Sequence, residues 1–167
     1  TNLSKVGQES IVIPMGKTQI TRPVKSLDII LRTCGSVNML TQSKERVFKN
    51  NKSEYSLKTL RSIVNSINYN KELFKTINLK LTIIDHNSEE EVLEKFKEIL
   101  SNQFFKGEIL KLDINFYQKG INKINEEGKE VTKNQISNMS NINQSLDIAK
   151  NCEDLIYFVE DDYLHEI

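Results

Sequence analysis

Five apolar residues, Leu155-Ile156-Tyr157-Phe158-Val159, run straight into Glu160-Asp161-Asp162. A short apolar run rich in β-branched and aromatic residues, with a helix-like segment before it, reads as a strand buried on both faces. Three carboxylates at the carboxyl end of such a strand are costly to bury unless they are paired or hold a cation. They therefore belong at the mouth of a cleft, where a metal ion can be met. The plainer alternative is a solvated acidic turn that closes the strand.

In chain order, residues 1–26 form a lead-in segment. Ile11-Val12-Ile13 could supply an edge strand, ended by Pro14 and Gly16, and Pro23 opposes a regular helix just after. Residues 27–32 are a clearer strand, broken by the small residues Thr33-Cys34-Gly35-Ser36, which invite a close approach to the backbone. Residues 38–55 carry Lys44, Arg46, Lys49 and Lys52 and read as a long loop with a solvated basic face. From Ser56 the period changes. Leu57, Leu60, Ile63, Val64 and Ile67 share one helical face opposite Lys58, Arg61 and Asn65, as in an amphipathic helix packed on a sheet.

Residues 79–84 form the second main strand and end in Asp85-His86-Asn87-Ser88. Ser88 followed by Glu91 has the form of a capping box, so a helix is predicted from about residue 89, with Val92, Leu93, Phe96, Ile99 and Leu100 as its core stripe. Residues 109–114 alternate, with Leu110, Leu112 and Ile114 on one side and Lys111 and Asp113 on the other, which suits a sheet edge with one wet face. Residues 115–140 lack clear periodicity and read as a second long loop. Ile142, Leu146, Ala149 and Cys152 then restore a helical stripe that leads into the final strand.

Composition narrows the function classes. A chain of 167 residues is one domain by length and can bury roughly two-thirds of its unfolded surface. Lys plus Arg and Asp plus Glu both number 23, so no overall basic field announces nucleic acid as a partner. Cys34 and Cys152 are far apart, in no metal-ligand spacing, and read as packing residues in a reducing, intracellular setting. No apolar run approaches a membrane span, and the amino terminus lacks the pattern of a signal peptide.

Strands alternating with helices imply crossover connections and a parallel sheet. The two most apolar strands, 27–31 and 155–159, are expected to be central and hydrogen-bonded to each other, with 109–114 peripheral, in the spatial order third, second, first, fourth. The order reverses between the first and fourth strands, and α/β sheets bind ligands at the carboxyl ends of strands at such a switch point. Arg32-Thr33, Asp85 and Glu160-Asp161-Asp162 all lie at those ends.

From residue 27 to residue 165 the chain resembles the family 2-like glycosyltransferases with the GT-A nucleotide-sugar-binding fold. The resemblance rests on the first strand with its short polar turn, the helix around 57–67, Asp85-His86-Asn87-Ser88 where the family has Asp-Asp-Gly-Ser, and Glu160-Asp161-Asp162 where it has Asp-x-Asp. It implies a Rossmann-like three-layer α/β/α domain and transfer of a sugar from a nucleoside-diphosphate donor, UDP-linked by preference, to a saccharide, lipid or protein acceptor. Asp85 would accept a hydrogen bond from the base, the Arg32-Thr33 region and Asn87 would line the nucleotide pocket, and Glu160 or Asp161 would lie near the ribose. Asp162, with Glu160, would ligate Mg²⁺ or Mn²⁺. Such donors also imply a cytoplasmic enzyme, either free or peripheral to the inner face of the membrane.

His86 and Asn87 depart from the family's Asp-Gly, although Asn tolerates left-handed backbone nearly as well as Gly. Asn143 stands where the family has the Asn of an Arg-Asn pair, with Ile142 in place of the Arg. The acceptor half and general base of such enzymes follow the acidic motif, so the chain reads as the amino-terminal part of a longer enzyme, with residues 27–167 as its donor domain. His86 reads as a turn residue and His165 as a surface residue able to reach the same ion. Two alternatives stand beside this reading. One is a non-catalytic nucleotide-binding α/β module. The other is a receiver-like domain, disfavoured because its metal-binding carboxylates cluster nearer the amino terminus.

Overall fold

The computed structural model describes residues 22–35, 51–125 and 128–165. Four parallel strands form one sheet: β1 (Ser26–Cys34), β2 (Asn78–His86), β3 (Lys106–Lys111) and β4 (Leu155–Glu160), in the order β3-β2-β1-β4. Helices α1 (Lys52–Tyr69), α2 (Glu90–Leu100), the single-turn α3 (Ile114–Tyr117) and α4 (Lys133–Ala149) make the connections. The result is a Rossmann-like three-layer α/β/α arrangement in the strand order expected from the sequence. The edge strand expected at residues 11–13 and the basic residues Lys44, Arg46 and Lys49 lie outside the described residues. Among the described residues no helix is long and apolar enough to cross a membrane.

Side-chain alternation along β1 divides the core between two layers. Ile29 and Leu31 pack with Leu81 and Ile83 of β2, Val159 of β4, Leu60, Ile63 and Val64 of α1 and Phe96 of α2. Ile30 and Ile84 face the other way, with Leu112, Ile114 and the end of α4 at Ile148 and Ala149. The two central strands are thus apolar on both faces, as a covered parallel sheet requires. Residues just before β1 are fastened to the start of β4: Arg22 pairs with Asp154, and the Lys25 amide donates to Asp154 Oδ2 at 2.9 Å. The Arg22 hydrogen bond, followed by the one from Lys25, holds the Asp154 carboxyl down at about 2.

Several expectations are overturned. β4 is not central and not buried on both faces: it pairs only with β1 among the described residues, and Ile156, Tyr157 and Phe158 are exposed. Apolar content reports what a strand can bury, whereas its place in the sheet depends on what lies beyond it. β1 and β2 run on through Cys34 and His86, so Thr33, Cys34 and Asp85 belong to strands and not to the turns beyond them. Lys52 opens α1 and is no part of a loop. β3 occupies residues 106–111 in place of 109–114, and Leu112 is buried just past its end.

Helix α2 lacks the expected capping box. Glu89 is its cap, without a side-chain bond, because the Ser88 hydroxyl is spent on Asp85. The box is found instead on α4, where Thr132 and Gln135 bond reciprocally within the segment read as a long loop. The face that α4 buries is also not the apolar stripe. Ser137, Ser140, Asn141, Gln144 and Ser145 are buried, while Leu146 is 50% exposed. The polar face has a physical task. Asn141 Nδ2 donates to the Ile84 carbonyl at 3.2 Å and to that of Thr33 at 3.5 Å, and Gln144 Nε2 donates to the Lys111 carbonyl at 3.2 Å. Amides on α4 thus satisfy carbonyls where β1, β2 and β3 run out of partners.

Leu146→Ala and Ser140→Ala test this rotation of α4 by urea denaturation, with Phe96→Ala on α2 as a buried reference. Leu146→Ala is expected to cost under about 1 kcal/mol, against the 2–5 kcal/mol of a buried leucine, and Phe96→Ala, which empties a fully buried site, about 3–5 kcal/mol. Ser140→Ala is expected to be neutral or stabilising by up to about 1 kcal/mol, since the Ser140 hydroxyl is buried with no partner among the described residues.

Candidate functional site

Register brings the sequence-predicted residues together. Thr33 lies opposite Asp85 and Arg32 opposite Ile84 in the β1–β2 pair, while Arg32 lies opposite Glu160 in the β1–β4 pair. The carboxyl ends of three adjacent strands therefore share one edge of the sheet.

Asp85 is the hub of this edge. Its carboxylate is buried, with Oδ1 accepting from Thr33 Oγ1 at 2.7 Å and Ser88 Oγ at 2.5 Å, and Oδ2 accepting from the Ser88 amide at 3.1 Å. Charge-assisted bonds of this kind are what make a buried carboxylate tolerable. The turn that carries Ser88 back to Asp85 is made by Asn87 at φ 58°, the left-handed conformation that Asn accepts in place of the family's Gly. Gly35 closes the other side: its amide donates to the His86 carbonyl at 3.0 Å, and a Cβ there would stand 2.6 Å from Ser88 Cα. Any side chain would push the β1 and β2 ends apart.

The three acidic residues after β4 have three different environments. Glu160 is ion-paired with Arg32, whose other nitrogen donates to Asn138 Oδ1 at 3.1 Å. Asp161 is 7% exposed; it pairs with Lys52 and accepts from Ser56 Oγ at 2.8 Å and the Cys34 amide at 3.4 Å. Asp162 is exposed, with no hydrogen-bond or ion-pair partner among the described residues. Among the described residues no group of three or more His, Cys, Asp and Glu could hold a metal ion. The donor set fits a hard divalent cation only where protein supplies one or two carboxylates and a ligand's phosphates complete the shell, the habit of Mg²⁺ and Mn²⁺ at nucleotide sites. His165 is not part of this group; it lies between Ser62 and the Tyr157 hydroxyl, 3.0 Å from its Nε2.

Sequence reasoning missed Lys52 and Ser56, which neutralise and hold Asp161, and Asn141, which reaches the strand ends from α4. It also missed a third group. Cys34 and His86 are register partners, their Sγ and Nδ1 3.6 Å apart, and Ser137 Oγ lies 2.6 Å from the same Nδ1. The spacing of β1 and β2 was the available signal: a register placing Thr33 opposite Asp85 places Cys34 opposite His86. Burial pushes the His86 pKa down, Lys111 adds to this, and Asp85 opposes it.

No family model, curated protein or solved structure matches the chain.

Lys52→Met would leave Asp161 buried without its cation, and a loss of about 3 kcal/mol in urea denaturation is expected. A loss within 0.5 kcal/mol, roughly that of a surface change, would show that the pair does not anchor β4 to α1. His86 titrates below its unfolded value, so its neutral form favours the fold fully above about pH 6.5, and that contribution is lost as pH falls below this value. The fall in melting temperature between pH 7 and pH 5 is expected to be smaller in His86→Gln than in the parent protein.

Proposed function

We propose that this chain is the donor-binding part of a metal-dependent glycosyltransferase acting on a nucleoside-diphosphate sugar, UDP-linked by preference. The observation that carries the reading is the convergence, at the carboxyl ends of β1, β2 and β4, of the Thr33–Asp85 pair on one side and the uncommitted Asp162 on the other. A crevice at the switch point between β1 and β4 is where an α/β sheet takes a nucleotide.

In this reading Asp85 meets the base with an acceptor lone pair beyond those used by Thr33 and Ser88, and Asn87 borders the same turn. Arg32 faces the diphosphate and exchanges Glu160 for a phosphate oxygen, which releases Glu160 toward the ribose or the cation. Asp161 holds the acidic turn against α1 through Lys52 and Ser56, which fixes where Asp162 points. Asp162, joined by Glu160, would hold Mg²⁺ or Mn²⁺; bound there, such an ion supplies neutralisation of the charge that develops on the departing diphosphate. The acceptor, a saccharide, lipid or protein hydroxyl, attacks the anomeric carbon. The existing pairing of Glu160 and Asp161 favours a second reading, a non-catalytic nucleotide-binding module in which the acidic turn is structural.

Calorimetry with UDP separates the two. Affinity in Mn²⁺ is expected to exceed that in EDTA by about tenfold or more, and metal affinity to rise in the same proportion when UDP is present. Asp162→Asn is expected to bring the Mn²⁺ value down to the EDTA value while changing stability by less than about 0.5 kcal/mol. Equal UDP affinity in Mn²⁺ and EDTA would exclude the metal-dependent reading and leave the binding module.

A further inference from the structure

Cys34 and Cys152 are both partly exposed and neither is in a disulfide, so access alone does not separate them. Their surroundings do. Cys152 Sγ faces the Ile148 carbonyl at 3.7 Å and the Asp28 carboxylate, acceptors that hold the proton on sulfur. Cys34 Sγ faces an imidazole nitrogen at 3.6 Å, with the Ser137 hydroxyl 3.8 Å from the sulfur and 2.6 Å from that nitrogen. A nucleophile, a base within reach and a third group touching the base is the arrangement by which side chains are activated.

We infer that Cys34 is a thiol–disulfide exchange site, activated by His86 and steadied by Ser137, that takes low-molecular-weight disulfides. The thiol passes its proton to His86 Nδ1. Ser137 then turns, accepting a hydrogen bond from the new Nδ1–H and donating one from its own hydroxyl to the thiolate, a role that a rotating hydroxyl between the two atoms can fill. The thiolate attacks one sulfur of R–S–S–R. A Cys34–S–S–R bond forms as the old bond breaks, and R–S⁻ leaves with the proton from His86 as R–SH.

The charged groups around the pair allow this step. Asp161, which accepts a hydrogen bond from the Cys34 amide, is offset by Lys52. Asp85 on β2 favours a charged His86, and Lys111 at the end of β3 opposes it. Desolvation holds His86 in its neutral form, the form that can act as a base. The opposite holds at the other cysteine, where burial, with Asp28 adding to it, pushes the thiol up. Nothing in this inference depends on nucleotide binding.

Oxidised glutathione, followed by intact mass and peptide mapping of the whole chain at pH 7, tests the site. Cys34 is expected to form the mixed disulfide about tenfold or more faster than Cys152. His86→Gln, with folding verified by its thermal melt, is expected to slow Cys34 by about tenfold and leave Cys152 unchanged. Should that variant fail to fold, Ser137→Ala decides, expected to slow Cys34 by about threefold and leave Cys152 unchanged. Equal rates at the two cysteines, or an unchanged Cys34 rate in the folded variant, would each overturn the inference.

Discussion

The Asp85 carboxylate is the constraint on which the working edge of this molecule depends. A buried negative charge with too few donors would unfold the strand ends around it, and here Thr33 supplies one donor from β1 and Ser88 two from the turn after β2. To deliver Ser88 the chain must reverse through Asn87 in left-handed backbone, and to admit that turn β1 must be followed at once by Gly35. One ionised group thus sets the register, the turn and the need for a glycine. It also explains why α2 starts without a side-chain cap, since the serine that could have supplied it is used elsewhere. Replacing Asp85 would therefore disturb the fold and any nucleotide contact together, which is why Asp162 is the better probe of function.

A second constraint acts on the carboxyl side of the sheet. Strands that end together leave carbonyls without partners, and α4 answers them with Asn141 and Gln144 in place of an apolar stripe. The cost is visible in the buried Ser140 hydroxyl and Asn141 side-chain Oδ1, which have no partner among the described residues. The same polar face puts Ser137 beside His86 and Asn138 beside Arg32. α4 therefore contributes to the chemistry of the edge as well as to its packing. Its apolar residues Met139 and Leu146 are left exposed, on the molecule that also exposes Ile156 and Phe158 of β4.

Much of the architecture was legible because periodicity and strand ends are local properties. Residues 57–67 gave the face of α1, the apolar runs at 27–31 and 79–84 gave the two central strands, and alternation at 109–114 gave an edge, three residues out of place. Asn87 was legible for the same reason, since left-handed tolerance is a property of one residue. Errors came where a residue's partner lay far away in sequence. Lys52 looked like a solvated lysine until Asp161 stood beside it, and Ser88 looked like a cap until Asp85 claimed it. Thr132 and Gln135 were a local signal that the loss of apolar periodicity concealed.

What the sequence determined by itself was the class of the fold, the strand order and the set of polar groups at the strand ends, because hydrophobic period and chain order act through neighbours a few residues apart. Tertiary structure alone decided the division of labour within that set. Glu160, Asp161 and Asp162 are adjacent in sequence, yet Arg32 takes the first, Lys52 and Ser56 take the second, and the third is exposed with no partner among the described residues. Cys34 and His86 are 52 residues apart along the chain, and only the parallel pairing of β1 with β2 makes them neighbours. The charge and hydrogen-bonding state of a side chain depends on what lies within a few ångströms of it, and for these residues that is fixed by strand register and not by sequence order.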